Sequence, residues 1–281
     1  MSEKNYDSHI KPTWCPGCGN FGIFTALKQA FLDLNIKSHE LVIITDVGCS
    51  GNLADFVSTY SIHALHGRAL PPAAGVKLAN HNLPVIAIIG DGGCYGEGLN
   101  HFINLMRGNH DITVIVHDNY LYSLTTGQYS PTTPKGTKTK STPTGSIEVP
   151  LNPLALALAN STTFAARGYA FDIKHLTDLF KQAIKHTGFS LVDVLQPCVT
   201  FNKTYTVKDW YQKKVYQLKN SFTSKNEAFK QALKYDKLAI GLFWQEQRKA
   251  YHEEVDVLLN QPLLKKSIKN INLQKLIEEF I

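Results

Sequence analysis

The stretch IIGDGGCYGEGLNHFINLMRGNHDITVIVHDNYLY (residues 88–122) decides the fold. The apolar runs at 84–89 and 112–116 have the length of strands, and their continuous apolar character is typical of strands buried on both faces. The segment between them, 98–106, has apolar side chains at helical spacing. Strand, helix and strand in this order predict a βαβ unit of a parallel sheet.

The same alternation continues on both sides of this unit. Further strand-length runs lie at 41–45 and 190–195, and further helical segments lie at 21–34 and 176–186. We therefore predict an α/β fold with a doubly wound, mostly parallel sheet, whose ligands lie beyond the carboxyl ends of the strands. Small and polar residues cluster at three of those ends: 46–49, 90–93 and 118–122.

The glycines around Asp91 are typical of a phosphate-binding loop, but two common loop types are excluded. A dinucleotide fingerprint that begins at Gly90 needs glycine where Tyr95 stands, and the Gly-Lys-Ser/Thr of a Walker loop does not occur. Asp91 and Asn119 instead place a carboxylate and an amide oxygen at adjacent strand ends. Together with the Leu121 carbonyl these oxygens suit Mg²⁺, and the glycine N–H groups suit a diphosphate. Either half alone is typical of a turn; the pair indicates a thiamine diphosphate enzyme.

The chain contains five cysteines. Cys15 and Cys18 form a Cys-x-x-Cys pair, and Cys49 and Cys198 follow two of the predicted strands. Four thiolates at these positions fit either zinc or a 4Fe-4S cluster, and their spacing does not separate the two. Cys94 lies inside the glycine loop, where we expect a small buried residue and not a metal ligand.

Length and composition limit the classes of protein to which this chain can belong. The 281 residues are 43% apolar and 19% charged, which is typical of globular domains. No apolar run is long enough for a membrane span, and the first residues lack the apolar core of a signal peptide. We therefore expect a cytoplasmic protein without a membrane partner.

We predict two parts, an α/β domain over 1–200 and a helical, basic extension over 201–281. The net charge of +6 comes from the extension, which has 15 Lys and Arg residues against 9 Asp and Glu residues. A solvated helical surface explains this excess most simply, and an acidic partner is the alternative. The charges are interleaved and fit no recognition module, so we do not expect nucleic acid to bind. Residues 123–153 lack periodicity and follow a strand end, which predicts a ligand-covering loop.

These motifs resemble the beta, thiamine-binding subunit of the 2-oxoacid:ferredoxin oxidoreductases. The similar stretches fall between residue 14 and about 205: WCPGCGNFGI, GCSGN, TYSIHALHGRALPPAAGVKLA, GDGG, GLNHFINLMRGN, DNYLYSLTTGQYSPTT, KSTPTGS and LQPCVTFN. A looser similarity extends past residue 250 in VKDWYQKKVYQL and IGLFWQEQRKAYHEE. A set this long and in this order is highly specific for the family.

The resemblance implies a set of site residues. One 4Fe-4S cluster would be ligated by four of the cysteines: Cys15, Cys18, Cys49 and Cys198. Asp91, Asn119 and the Leu121 carbonyl would hold Mg²⁺, and His66 and Arg68 would be catalytic residues near the reacting end of the cofactor. Thiamine diphosphate would contact Gly48, Ser50, His66, Gly67, Gly90, Asp91, Gly92, Gly93, Asn119, Leu121 and Tyr122.

The resemblance also implies an activity. It is the oxidative decarboxylation of a 2-oxo acid, such as pyruvate or 2-oxoglutarate, to acyl-CoA and CO₂, with electrons passing through the cluster to ferredoxin. The family's thiamine chemistry also needs a carboxylate from a pyrimidine-binding domain, which we expect on a partner alpha subunit. Two rivals stay open: a zinc-stabilised, non-catalytic binding or assembly protein, and a non-oxidative thiamine decarboxylase, which would need no cluster.

Three positions depart from the family pattern. Many members have GDGD where this chain has GDGG, so that Gly93 replaces an aspartate. Asn52 stands where a basic residue commonly follows the third cysteine, and Thr126 stands where many members have lysine. Because Asp91 is retained, we expect thiamine binding to survive. The substrate and the affinity for coenzyme A are not determined by the sequence.

Overall fold

The computed structural model describes residues 6–205, 208–267, 269 and 272–281. Residues 1–5 lie outside the described residues; they begin the segment for which we expect no signal peptide. Val207, the first residue of the similar stretch VKDWYQKKVYQL, also lies outside them. The strands in the described residues are β1 (Val42–Thr45), β2 (Tyr60–His63), β3 (Val85–Gly90), β4 (Thr113–Asp118), β5 (Leu121–Tyr122), β6 (Gln128–Tyr129), β7 (Phe164–Tyr169), β8 (Ser190–Leu195), β9 (Val215–Gln217) and β10 (Leu238–Gln245).

Eight of these strands form one sheet in the order β2-β1-β3-β4-β8-β7-β10-β9, and β5 pairs with β6 in a separate hairpin. All neighbours in the large sheet are parallel except β7 and β10. The four apolar runs of the sequence are its adjacent strands β1, β3, β4 and β8, and nearly every residue in them is buried. The prediction of a mostly parallel α/β sheet is confirmed.

The helices in the described residues are α1 (Gly19–Asp33), α2 (Leu53–Phe56), α3 (Leu70–Ala79), α4 (Leu99–Arg107), α5 (Pro153–Ala159), α6 (Ile173–Lys185), α7 (Lys208–Lys214), α8 (Lys225–Ala232) and α9 (Leu273–Glu278). Within that part of the chain, none of them combines the length and the apolar composition that crossing a bilayer takes.

Helices cover both faces of the sheet. α1 and α6 pack on one face in a core that includes Ile43, and α3, α4, α5 and α8 pack on the other in a core that includes Ile44. Consecutive strand residues point to opposite faces, so both must be apolar when both faces are covered. α6 shows the matching helical pattern, because Leu176, Leu179, Phe180 and Ala183 form its buried face. The sheet is therefore doubly wound.

The prediction of a helical extension over 201–281 is wrong in part. α7 and α8 are helical, but β9 and β10 join the main sheet, with β10 antiparallel to β7. The eight residues of β10 are mostly apolar and buried. Pairing with β10 covers the edge of β7, which would otherwise leave its backbone N–H and C=O groups unpaired. We did not predict this strand, because its short apolar run lies within a lysine-rich part of the sequence. The division of the chain at residue 200 stays a prediction.

Parallel strands bring their carboxyl ends to one edge of the sheet. Asp46 follows β1, Asp91 follows β3, Asn119 follows β4 and Gln196 follows β8. The pairings β1–β3, β3–β4 and β4–β8 are direct, so these four residues lie along one edge. That edge positions the site.

Candidate active site

A cavity at the carboxyl edge gathers residues from segments far apart in the sequence. It lies beyond the ends of β1, β3 and β4. Its lining includes ten of the predicted cofactor residues: Gly48, Ser50, His66, Gly90, Asp91, Gly92, Gly93, Asn119, Leu121 and Tyr122. Two predicted residues lie beside this lining and not in it. Gly67 is buried against Glu97, and the exposed Arg68 donates a hydrogen bond from Nη1 to the Glu97 carbonyl oxygen (2.8 Å).

Gly92 allows the Tyr122 ring to lie against the glycine loop. A Cβ atom at position 92 would lie 2.1 Å from Cε1 of Tyr122, and the Tyr122 hydroxyl donates to the Gly92 carbonyl oxygen at 3.4 Å. Close approach of this kind is possible only for a residue without a side chain. The hairpin that carries Tyr122 is therefore seated directly on the loop.

We expect Gly92→Ala to weaken thiamine diphosphate binding by about tenfold or more, because the Tyr122 ring or the loop must move to admit the methyl group. Isothermal titration calorimetry with Mg²⁺ present measures the effect. Gly75→Ala is the matched control, since Gly75 lies in α3 and a Cβ atom there meets nothing within 4 Å. The control should bind normally and be up to about 1 kcal/mol more stable. Equal affinity of Gly92→Ala and wild type would contradict this account.

Asp91 is buried at the start of a π-helical turn, Gly92–Glu97, directly after β3. Its Oδ2 accepts hydrogen bonds from Ser130 Oγ (2.5 Å) and Thr132 Oγ1 (2.7 Å). Both donors belong to the segment 123–153, for which the sequence predicted a ligand-covering loop without roles for single residues. Only the structure reveals their role, because both side chains are buried: Ser130 is 2% exposed and Thr132 is 3% exposed. The loop thus fixes the carboxylate that faces the cavity.

Thr132 also joins Asp91 to a second carboxyl group. Thr132 Oγ1 lies 2.8 Å from Asp118 Oδ1 as well as 2.7 Å from Asp91 Oδ2. One hydroxyl has one hydrogen, so one of the two contacts needs a proton on a carboxyl group. Burial, together with the charges of Asp193 and Asp91, raises the pKa of Asp118 well above its usual value. This shift makes Asp118 the carboxyl group that is better suited to hold the proton, with the hydroxyl hydrogen directed to Asp91.

Asn119 is held in place from two sides. Its Nδ2 donates to Gln196 Oε1 (2.9 Å), and its Oδ1 accepts from the Leu121 N–H (3.1 Å). Asn202 Nδ2 donates to the Asn119 carbonyl oxygen (3.1 Å). Tyr120 has φ of 64°, a left-handed conformation that a bulky residue adopts only when its surroundings require it. The turn at Tyr120 brings Asn119 and Leu121 into the lining of the same cavity.

These oxygen ligands fit Mg²⁺. Asp91 supplies a carboxylate and Asn119 an amide oxygen, and hard cations of this size take such ligands together with phosphate oxygens. Burial raises the pKa of Asp91 to about 6, although the bonds from Ser130 and Thr132 oppose the rise. A bound cation would favour the ionised carboxylate and offset the cost of burying its charge.

Glu97 connects His66 with Tyr122 at the rim of the cavity. The Tyr122 hydroxyl donates to Glu97 Oε1 (3.1 Å), and Glu97 Oε2 lies 3.3 Å from His66 Nδ1 without the alignment of a hydrogen bond. The His66 and Tyr122 ring centroids are 5.9 Å apart. We did not predict Glu97, because its acidic side chain carries no pattern that distinguishes it from a solvated surface residue.

A second cavity is lined by four of the five cysteines: Cys15, Cys18, Cys49 and Cys198. Burial raises the pKa of Cys18 to about 12 and that of Cys49 to about 11, and the other thiols of the cavity add to both effects. These two thiols are therefore protonated at neutral pH, and a metal that binds them must displace protons. Cys94 is fully buried in the apolar core, as predicted for a small buried residue.

Hydrogen-bond donors also reach the sulfur atoms. Gln196 Nε2 lies 3.3 Å from Cys18 Sγ, and Thr200 Oγ1 lies 3.1 Å from Cys15 Sγ. Such donors tune the reduction potential of iron-sulfur clusters. In the part of the chain that the structure describes, no three His, Cys, Asp or Glu side chains are close enough to hold a single metal ion. A four-iron cluster spreads its thiolates more widely than one ion does, so the two findings are compatible.

The two cavities share a wall. Cys49, Ser123 and Leu124 line both of them. Gln196 bridges the same two regions, because it accepts from Asn119 on one side and donates toward Cys18 on the other. A cofactor in the first cavity and a metal group in the second would therefore be immediate neighbours.

Two known protein families match most of this chain. Residues 46–194 match the family described as thiamine pyrophosphate enzyme, C-terminal TPP binding domain, and residues 198–260 match the C-terminal family of the pyruvate ferredoxin oxidoreductase beta subunit. The 2-oxoacid:ferredoxin oxidoreductase subunit beta of Sulfolobus sp is 45% identical over 257 residues, which are 86% of this chain and 84% of that protein. This chain belongs to the 2-oxoacid:ferredoxin oxidoreductase beta subunits.

The beta subunit also has relatives that are named for one substrate. The 2-oxoglutarate synthase subunit KorB of Archaeoglobus fulgidus is 38% identical over 197 residues, 70% of this chain and 73% of that protein. A solved structure of 2-oxoglutarate:ferredoxin oxidoreductase from Magnetococcus marinus, with 2-oxoglutarate, coenzyme A and succinyl-CoA bound, superposes with a TM-score of 0.91 at 33% identity. It covers 99% of this chain, which in turn covers 96% of that one.

Membership in this family confirms three predictions for the beta subunit. It is a subunit of a thiamine diphosphate-dependent 2-oxoacid:ferredoxin oxidoreductase, it binds thiamine diphosphate, and it is part of a multi-subunit enzyme. The two rivals, a zinc-stabilised, non-catalytic binding or assembly protein and a non-oxidative decarboxylase, do not fit an oxidoreductase family. The roles of single residues, Mg²⁺ and the 4Fe-4S cluster stay predictions.

Proposed function

We propose that this beta subunit performs oxidative decarboxylation of a 2-oxo acid, with transfer of the acyl group to coenzyme A and of electrons to ferredoxin. The observation that carries the proposal is the wall of Cys49, Ser123 and Leu124 between the two cavities. Thiamine diphosphate, when bound, supplies a carbanion and an electron sink for decarboxylation. A 4Fe-4S cluster in the cysteine cavity would lie directly beside it, as electron transfer between them requires.

Each part of the cofactor cavity has a proposed task. Asp91, Asn119 and the Leu121 carbonyl hold Mg²⁺, and the backbone N–H groups of the glycine loop 90–93 bind the diphosphate. His66 lies at the rim, where it can reach the substrate, and the Glu97 carboxylate lies 3.3 Å from its Nδ1. Arg68 is tied to the Glu97 backbone and contributes positive charge near the rim.

In the second cavity, Cys15, Cys18, Cys49 and Cys198 ligate the cluster, supported by their common lining of one cavity and by the donors to Cys15 and Cys18. Thiolates are the ligands that iron-sulfur clusters require. Zinc also binds thiolates, but it is not redox-active and would leave no path for electrons.

The substrate class is a 2-oxo acid such as pyruvate or 2-oxoglutarate, with coenzyme A as the acyl acceptor. The relatives named for 2-oxoglutarate support this class. Asn52, which stands at a commonly basic position, lines the cysteine cavity, and Thr126 is exposed with φ of 88°. Both side chains are neutral, so neither supplies a cation for a second carboxylate or for a coenzyme A phosphate.

The proposed partner is an alpha subunit that carries the pyrimidine-binding domain. Large apolar side chains are exposed on the surface of this chain: Leu65 is 77% exposed, Ile147 83% and Val149 79%. β2, the outermost strand beside β1, exposes all four of its residues. Apolar surface of this kind is typical of a subunit interface. Ferredoxin is the proposed electron acceptor.

We expect the purified chain alone to be inactive, and activity to appear when an alpha subunit is co-expressed. The reason is that the aminopyrimidine needs a carboxylate, which the family resemblance places on the pyrimidine-binding domain of the partner. Reduction of ferredoxin is measured anaerobically with pyruvate and with 2-oxoglutarate in the presence of coenzyme A, together with the iron, sulfide and zinc content of the same sample. Full activity of the chain alone would contradict the partner proposal. One zinc and no iron would contradict the electron path.

A further inference from the structure

Asp46 is a buried carboxyl group that the assigned roles do not use. It follows β1, it is fully buried, and neither of its oxygens makes a hydrogen bond of good geometry in the described structure. The backbone N–H groups of Gly67 and Gly90 lie near it and partly oppose the rise in its pKa that burial causes. An unpaired buried carboxyl group is costly, so its retention calls for an explanation.

The Asp46 carboxyl group occupies the space that a side chain at position 93 would need. A Cβ atom at Gly93 would lie 1.9 Å from Asp46 Oδ2, and the nearest atom of any other residue, Ile89 Cγ1, would be 3.1 Å away. Gly93 does not have a positive φ, so its backbone conformation permits a side chain. The carboxyl group of Asp46 is therefore the main obstacle. With the Asp46 side chain in its present position, a side chain at position 93 has no room.

We infer that Asp46 is a positioning residue for the cofactor loop, and that its carboxyl group supports the loop from the end of β1 by filling the space beside Gly93. This inference rests on the proposed cofactor site. The absence of a side chain at Gly93 then has a physical explanation, since the Asp46 carboxyl group takes that space. It lies against Gly67 and against Gly90 and Gly93 of the glycine loop, and so links the end of β1 to two further segments around the cavity.

The charge of the group is compatible with this position. Burial raises the pKa of Asp46 to about 8, so the carboxyl group is largely protonated at neutral pH. A neutral carboxyl group beneath the loop does not repel a diphosphate and can both accept and donate hydrogen bonds.

A swap of the two residues tests the inference. The dissociation constant of thiamine diphosphate with Mg²⁺ is measured by calorimetry for the full chain, purified anaerobically with any subunit that co-purifies. Asp46→Gly removes the carboxyl group and Gly93→Asp places two in one space, so each should weaken binding by about tenfold or more. The double variant Asp46→Gly/Gly93→Asp should return to within about threefold of wild type. The double variant Asp46→Gly/Gly93→Ala restores the packing without the carboxyl group and should bind as weakly as Asp46→Gly.

Melting temperatures without cofactor separate positioning from folding. If Gly93→Asp does not fold, Asp46→Gly and the two double variants still decide the result. Wild-type affinity of Asp46→Gly, equal affinity of the two double variants, or a swap variant no better than Asp46→Gly would overturn the inference. Wild-type protein that binds no thiamine diphosphate would overturn the proposed site, and this inference with it.

Discussion

Asp91→Asn should reduce Mg²⁺-dependent binding of thiamine diphosphate by roughly 100-fold or more while leaving the chain folded. The amide keeps the shape of the side chain, and its oxygen can still accept from Ser130 and Thr132, which lie 2.5 and 2.7 Å from Asp91 Oδ2. It cannot offer the negative charge that a divalent cation needs. Calorimetry at fixed Mg²⁺ measures the loss.

The same variant has a second signature in the cofactor-free protein. Burial raises the pKa of Asp91 from 3.8 to about 6, so the folded chain holds this proton more tightly than the unfolded chain does. The stability that this proton contributes is fully present below about pH 4 and is lost as the pH rises through about 6. Asparagine cannot ionise, and the melting temperature of Asp91→Asn should fall less between about pH 5 and pH 8 than that of wild type.

Asp55→Asn is the matched control for both measurements. Asp55 is an exposed aspartate in α2, away from the cavity lining. Its variant should bind thiamine diphosphate as wild type does. If Asp91→Asn still binds thiamine diphosphate tightly with Mg²⁺, Asp91 is not a ligand of the metal. The proposed metal site would then lose its main support.

Cys18→Ser should remove the iron-sulfur cluster. Cys18 is the most deeply placed thiol of the Cys-x-x-Cys pair, being buried whereas Cys15 is exposed. Serine replaces a soft thiolate with an oxygen that binds iron clusters poorly. Iron and sulfide should fall from about four each per chain to near zero, and the broad visible absorption should disappear. Anaerobic metal analysis and the absorption spectrum measure both.

Cys94→Ala is the control for Cys18→Ser. Cys94 is even less exposed than Cys18, but it lies in the apolar core and outside the cysteine cavity. We expect it to keep its iron and to lose about 1 kcal/mol of stability through the small cavity left behind. Loss of iron in Cys94→Ala, or its retention in Cys18→Ser, would contradict the assignment of the four ligands.

Much of the fold is visible in the sequence because its signals are local. The continuous apolar runs of β1, β3, β4 and β8 predict parallel strands covered on both faces, and the structure has them as neighbours. β10 is the counter-example. Its apolar run is equally strand-like, but only pairing with the distant β7 shows that it belongs to the same sheet.

The residues of the candidate site also fall into two groups, those that the sequence predicts and those that only the structure reveals. Residues that follow strand ends, such as Asp91 and Asn119, are predictable because parallel strands end at one edge. Ser130 and Thr132 are not, since they reach Asp91 from a loop without periodicity. Glu97 likewise acquires a role only through the side chains that it touches.

The sequence by itself determined the α/β class, the edge of the sheet that carries the chemistry and the four cysteines that gather there. Tertiary structure alone decided which side chains support them. Ser130 meets Asp91 across 39 residues, and Gln196 meets Cys18 across 178. Periodicity and loop motifs reflect neighbours along the chain, whereas such contacts depend on how separate loops pack on one edge. The fit of the Asp46 carboxyl group into the space beside Gly93 is of the same kind.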